Sequence, residues 1–223
     1  GSANVIGGQF AAVKTFGNRI DDMIVQEPLA MKCAFGENPK RCYSEKKASP
    51  STRMAIAAEL RETLFKAKEY ADKVEEGKKD STKAPAFDMK MEAMLPVMRK
   101  EMPLKAHAHR ADDILTAIRI AKEFDLKLTL EHCTEGHLIA DYIAEEGLEA
   151  VVGPSFGTRP KFELKNSCFE TPFELFKAGV KIAIMTDHPV IPIESLNLCA
   201  AFAHKAGLPE IEALKSISIN AAE

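Results

Sequence analysis

The 223-residue chain has little that would mark it for a membrane, a nucleic acid or a disulfide scaffold. Its longest apolar runs fall well short of the roughly 20 residues that a membrane span needs. Thirty Lys and Arg against 33 Asp and Glu leave a net charge of −3, so no basic field recommends nucleic acid as a partner. No basic segment followed by a long apolar stretch opens the chain, and Gly1 to Gly8 therefore does not read as a secretory signal. A leader already removed would leave the same start. The C-x-x-C motif is missing, and the five cysteines (33, 42, 133, 168 and 199) are odd in number and scattered. They read as reduced thiols in a cytoplasmic setting, serving as small apolar packing residues. Internal repeats and low-complexity tracts are also absent. A glycine-rich loop leading from strand to helix is not found either. Gly7-Gly8 and the GPSFG run at 153–157 lack that setting, which weighs against a phosphate-binding, doubly wound protein.

What is present is an apolar fraction of 46%, ordinary for one sizeable core, and a strict alternation of strand and helix. Leu104–His109 reads as a strand, followed by a helix over Asp112–Phe124 with apolar residues at helical spacing. Leu126–His132 is the next strand, and Thr134 is expected to cap a helix ending at Gly147. Leu148–Val152 is a third strand. Thr171-Pro172-Phe173-Glu174 has the form of a capping box with proline at the first helical position, and Val180–Thr186 is a fourth strand. Such alternation implies parallel strands joined by right-handed crossovers. A closed barrel and an open doubly wound sheet both satisfy it.

Upstream, Pro28–Phe35 reads as a strand. A long helix is expected from Ser51 or Thr52 to about Glu76, then a polar loop over Gly77–Pro85. A second helix, about Phe87–Glu101, carries Pro96, which should kink it. The excursion at 36–103 is not read as an independent domain, so residues 1–223 form a single domain. Both ends read as cut. Asn220 has the character of a helix cap, yet Glu223 closes the chain three residues later.

The histidines carry the chemical signal. His107 and His109 end one strand, His132 ends the next, and Asp187-His188 follow the last. Parallel α/β folds gather functional groups at the C-terminal ends of strands. Two histidines two residues apart on a strand share a face, and paired imidazoles suit a divalent metal of the zinc or iron type. An H-x-H alone is weak; His132 and Asp187 on neighbouring strand ends strengthen it. The alternative is a set of hydrogen-bonded polar residues at a sheet edge. Lys32 shares a strand face with Ala30 and Ala34, which would carry it into a barrel interior where an unpaired ammonium is costly. Pairing with a carboxylate, or carboxylation and metal coordination, would each resolve that.

KAHAHR (105–110), LEHCTEGH (130–137) and VKIAIMTDHP (180–189), with GSANVIGGQ and AMKCAFGENPKR upstream, resemble the imidazolonepropionase-like branch of the amidohydrolase superfamily. The resemblance implies an incomplete (β/α)8 TIM-type α/β barrel, truncated at both ends. The first-strand H-x-H and the β-sandwich of the family are missing from it. It implies a metal-dependent hydrolase of amide-type, including cyclic, C–N bonds. His107, His132, Asp187 and Lys32 would be metal ligands, and Asp187 the catalytic base. His109 and His188 would hold the substrate carbonyl or developing oxyanion. The cofactor would be one or two divalent ions, zinc first, with iron or manganese as alternatives. The partner would be a small-molecule amide substrate, not nucleic acid or membrane, with self-association left open. With half of its ligand set, the chain alone is expected to be inactive. A non-catalytic metal-binding or scaffold domain is the competing reading.

Overall fold

In the computed structural model, which describes residues 1–222, the chain divides into two compact units. One comprises Gly1–Lys105 with Ile118–Lys127; the other comprises Ala106–Ala117 with Leu128 onward. Backbone pairing orders six strands β1-β4-β5-β6-β7-β8 and leaves β2-β3 as a separate ribbon. That row is mostly parallel and is not closed among the described residues. The α/β class expected from the alternation is present, and the barrel appears here as an open sheet.

The first unit opens with β1 (Ile6–Gln9), β2 (Ala12–Val13), the one-turn α1 (Ile20–Met23), β3 (Ile24–Gln26) and β4 (Met31–Ala34). β1 pairs antiparallel with β4, with Ile6 opposite Cys33, and β2 pairs with β3. Helices α2 (Glu37–Glu45), α3 (Arg53–Lys79) and α4 (Met89–Met98) follow. The Thr52 hydroxyl accepts from the Ala55 amide at 3.1 Å and starts α3, satisfying one of the orphan donors of a helix end. Ile56, Leu60, Leu64 and Ala67 are spaced three or four apart and form its buried stripe. Each large side chain there contributes about 1.5–3 kcal/mol by leaving water. The expected polar loop at 77–85 is shorter than read, because α3 runs on to Lys79 and a 3₁₀ turn follows at Ser81–Lys83. Asp88 caps α4 through bonds to the Lys90 and Met91 amides. Pro96 sits inside α4, which ends two residues later at Met98.

β5 (Leu104–Ala108) and α5 (Ala111–Glu123) each begin in one unit and end in the other. The second unit continues with β6 (Leu128–His132), α6 (Ala140–Glu145), β7 (Glu149–Val152), α7 (Thr171–Lys177), β8 (Ile182–Ile184), α8 (Leu196–Lys205), α9 (Glu210–Ser216) and α10 (Ile219–Ala222). β6, β7 and β8 are parallel and in register, with Leu130 opposite Ala150 and Ala150 opposite Ile182. Those central residues are buried, as parallel strands covered on both faces require.

Three local expectations are corrected. The Thr171 hydroxyl does not cap its helix; α7 has no side-chain cap, and this hydroxyl donates to the Thr134 carbonyl at 3.3 Å. Thr134 does not start a helix either, because its hydroxyl pairs with His109 and a 3₁₀ turn at Gly136–Leu138 precedes α6. Asn220 lies within α10 and donates from Nδ2 to the Ile182 carbonyl at 2.9 Å. In each case a partner distant in sequence outcompetes the local backbone for a short polar side chain. All five cysteines are free thiols, and no described helix is long and apolar enough to cross a membrane.

Candidate metal centre

His107, in β5, and His109, one residue past its end, meet the end of β6 at His132. The backbone bonds from the Cys133 amide to the Ala108 carbonyl (3.0 Å) and from the Glu135 amide to the His109 carbonyl (2.8 Å) lock the two strand exits together. The three imidazoles converge. Ring centroids are 4.3 Å apart for His107 and His132, 4.5 Å for His109 and His132, and 4.8 Å for His107 and His109. One ring nitrogen from each lies within 4.8 Å of the others. The rings are only 2–4% exposed.

Backbone strain gathers at this place. His132 and Cys133 both have positive φ (68° and 50°), where non-glycine residues are uncommon and costly. His132 Nδ1 lies 2.8 Å from the Gly153 carbonyl. A carbonyl only accepts, so Nδ1 carries the proton and Nε2 presents its lone pair to the cluster. Metal-ligating histidines are oriented in this way by their other nitrogen. Burial pushes the neighbouring Cys133 thiol up to about 12, so near neutral pH it offers no thiolate of its own. Three buried imidazoles within reach of one point, one of them fixed in the ligating tautomer, are a donor set that fits a divalent metal.

Around His109 the hydrogen bonding is denser. Its Nδ1 pairs with the Thr134 hydroxyl at 2.8 Å and its Nε2 with the Lys161 ammonium at 3.3 Å. Lys161 is in turn 3.1 Å from Glu163 Oε1, and that oxygen is 3.8 Å from His109 Nε2. The Glu163 side chain is fully buried, and that of Lys161 is 15% exposed. Glu163 also borders a polar cleft of about 230 Å³ lined by Arg110, Glu135, Phe162, Lys165 and Asn166. The buried Glu135 holds the cleft wall, accepting from the Ala111 amide at the start of α5 and from Asn166 Nδ2.

The structure thus brings together His107, His109 and His132. Asp187 and His188 are exposed, beyond the end of β8, and are not in the grouped trio. Lys32 is on β4 in the first unit, half-buried, its ammonium 5.5 Å from the centre of the Phe10 ring. Its role as a ligand rests on the resemblance. His137 pairs with the Thr171 hydroxyl and His204 with the Leu208 carbonyl. Sequence reasoning missed Lys161 and Glu163. Their signal was a pair of opposite charges two residues apart in the loop after β7, whose neighbour β6 ends in histidine.

No family model matches the chain. An amidohydrolase of known structure from Thermotoga maritima matches over the whole chain at 46% identity with a TM-score of 0.96. The comparisons support an amidohydrolase family. Among curated proteins, amidohydrolase tasK of Hapsidospora irregularis is 24% identical over 98% of the chain. The chain spans 58% of the length of the structurally known amidohydrolase and 25% of the curated one. Both likenesses are to amidohydrolases, and the histidine trio is a group that could hold a metal ion.

Proposed function

We propose that this chain carries the metal-binding part of a hydrolase acting on amide-type C–N bonds, cyclic amides included. The observation that supports it is the buried trio His107, His109 and His132 at adjacent strand ends. The imidazolonepropionase-like branch, a TIM-type barrel in the whole protein and zinc as the metal all belong to this proposal. So do a small-molecule substrate and a cytoplasmic setting. His107 and His132 would hold the ion. Bound there, a divalent cation supplies Lewis-acid polarisation and makes water more acidic. Asp187, on the strand-end side of β8, is assigned as general base: a carboxylate oxygen takes the proton of the attacking water and returns it to the departing nitrogen. His109 and His188 are assigned to the substrate carbonyl.

The test is metal content after dialysis against zinc, read with hydrolysis of a panel of cyclic and acyclic amides. His107→Ala should strip the metal; in the longer protein, Asp187→Asn should abolish turnover with the metal retained. Zinc held equally well after both His107 and His132 are replaced would sink the proposal. The exposed Asp187, outside the trio, favours a second reading of metal binding without turnover. Stoichiometric metal with no hydrolysis in the longer protein would select it.

A further inference from the structure

The trio offers three imidazoles, but they are not equivalent. His109 is held at both nitrogens, by the Thr134 hydroxyl on Nδ1 and the Lys161 ammonium on Nε2. An ammonium has protons to give and no lone pair, so at this contact Nε2 must accept. The ring proton then sits on Nδ1 and is donated to the Thr134 hydroxyl. The lone pair that a metal would need on Nε2 is already engaged. Lys161 does not reach His109 by chance: Glu163 Oε1, fully buried, holds the ammonium at 3.1 Å. A buried carboxylate without a cation is expensive, and this one keeps the ammonium in place. His132 differs, because its Gly153 bond leaves Nε2 facing the cluster.

We propose that Lys161, clamped by Glu163, claims the Nε2 lone pair of His109, so that a metal here is held by His107 and His132 and not by His109. This rests on the metal reading above and refines it. Lys161 is a positioning residue, and His109 stays on the substrate side, reaching a carbonyl oxygen by way of the ammonium.

The experiment is nitrogen-15 NMR of the histidine rings in the chain, first metal-free and then with zinc added. The expected result is a neutral His109 with its proton on Nδ1. On zinc addition the ring signals of His107 and His132 shift and those of His109 do not. His107→Ala should weaken zinc binding and His109→Ala should not. Replacing the pair together (Lys161→Met with Glu163→Gln) avoids an orphaned carboxylate and should recruit His109. Its signals then shift with zinc, and affinity rises by about tenfold, the scale on which ligand orientation alters metal affinity. Adding His109→Ala should remove that gain, and Lys161→Arg, which still donates, should behave as the wild type. If the double variant does not fold, the wild-type spectra and the single histidine variants still decide. A chain that takes up no zinc overturns the metal reading. A His109 proton on Nε2 in the metal-free chain overturns the lone-pair claim whatever zinc does. So does a zinc affinity that falls as far in His109→Ala as in His107→Ala.

Discussion

The two units differ in what they hide from water. In the first, the buried stripe of α3 is Ile56, Leu60, Leu64 and Ala67, and its charges form exposed pairs such as Lys66 with Glu62 and Lys68 with Asp72. In the second, His107, His109, Asp113, Glu131, His132, Thr134, Glu135, Glu163, Thr171, Thr186 and Ser216 are buried; among the described residues of the first unit no charged side chain is, and the buried Tyr70 hydroxyl is paired with Glu92. Burying such groups costs free energy unless each finds a partner. One unit is therefore organised for stability, while the other gives up stability to hold polar atoms in fixed positions. Replacements in the two should have separable consequences.

The largest expected effect falls on the second unit. His132→Ala should lower zinc affinity by about two orders of magnitude or more, the loss of a direct ligand exceeding the 10–100-fold known for outer partners. Competition with a chromophoric chelator reads this, and the thermal midpoint should move little. A midpoint that collapses with the metal affinity would mean that His132 is structural. Next comes Leu64→Ala in α3. It should cost about 2–5 kcal/mol in urea unfolding, as cavities in tight cores do, with zinc affinity unchanged in the folded fraction. A smaller step is Thr52→Ala, which removes the cap of α3 and should cost about 0.5–2 kcal/mol.

The smallest effect concerns pH. Burial, opposed by Lys32, pushes the Cys33 thiol up to about 12, above the roughly 8.5 of an unfolded cysteine. The folded chain then holds a proton that the unfolded chain releases, so this contribution is complete below about pH 8.5 and is lost as pH rises towards 12. Cys33→Ala should flatten that alkaline decline. An unchanged slope would remove Cys33 from the account. At pH 8, dithionitrobenzoate should label the half-buried Cys42 and Cys168 before the buried Cys33 and Cys133.

Much of this contrast was legible in the sequence. The long helix from Ser51 or Thr52 and the strand ends carrying His107, His109 and His132 were readable locally, and the strand reading at 104–109 lies within a residue of β5. The errors share a cause. Thr134, Thr171 and Asn220 look like caps because short polar side chains next to helices usually are, yet each is drawn to a partner far along the chain. Lys161 and Glu163 escaped notice for the same reason, since nothing local distinguishes a charged pair in a loop from a solvated one. Closure of the sheet is likewise not a local property, and alternation alone could not choose between ring and row.

Gly153 links these themes. Its φ of 127° lies where side chains are disfavoured, and a Cβ there would come within 2.5 Å of the Met185 carbonyl oxygen. The same residue supplies the oxygen that orients His132. Because that oxygen belongs to the main chain, no substitution can delete it, and because only glycine fits, almost none can be accepted in its place. The aim of His132 is therefore protected from gradual adjustment: mutation at 153 can displace the imidazole, but it cannot retune it.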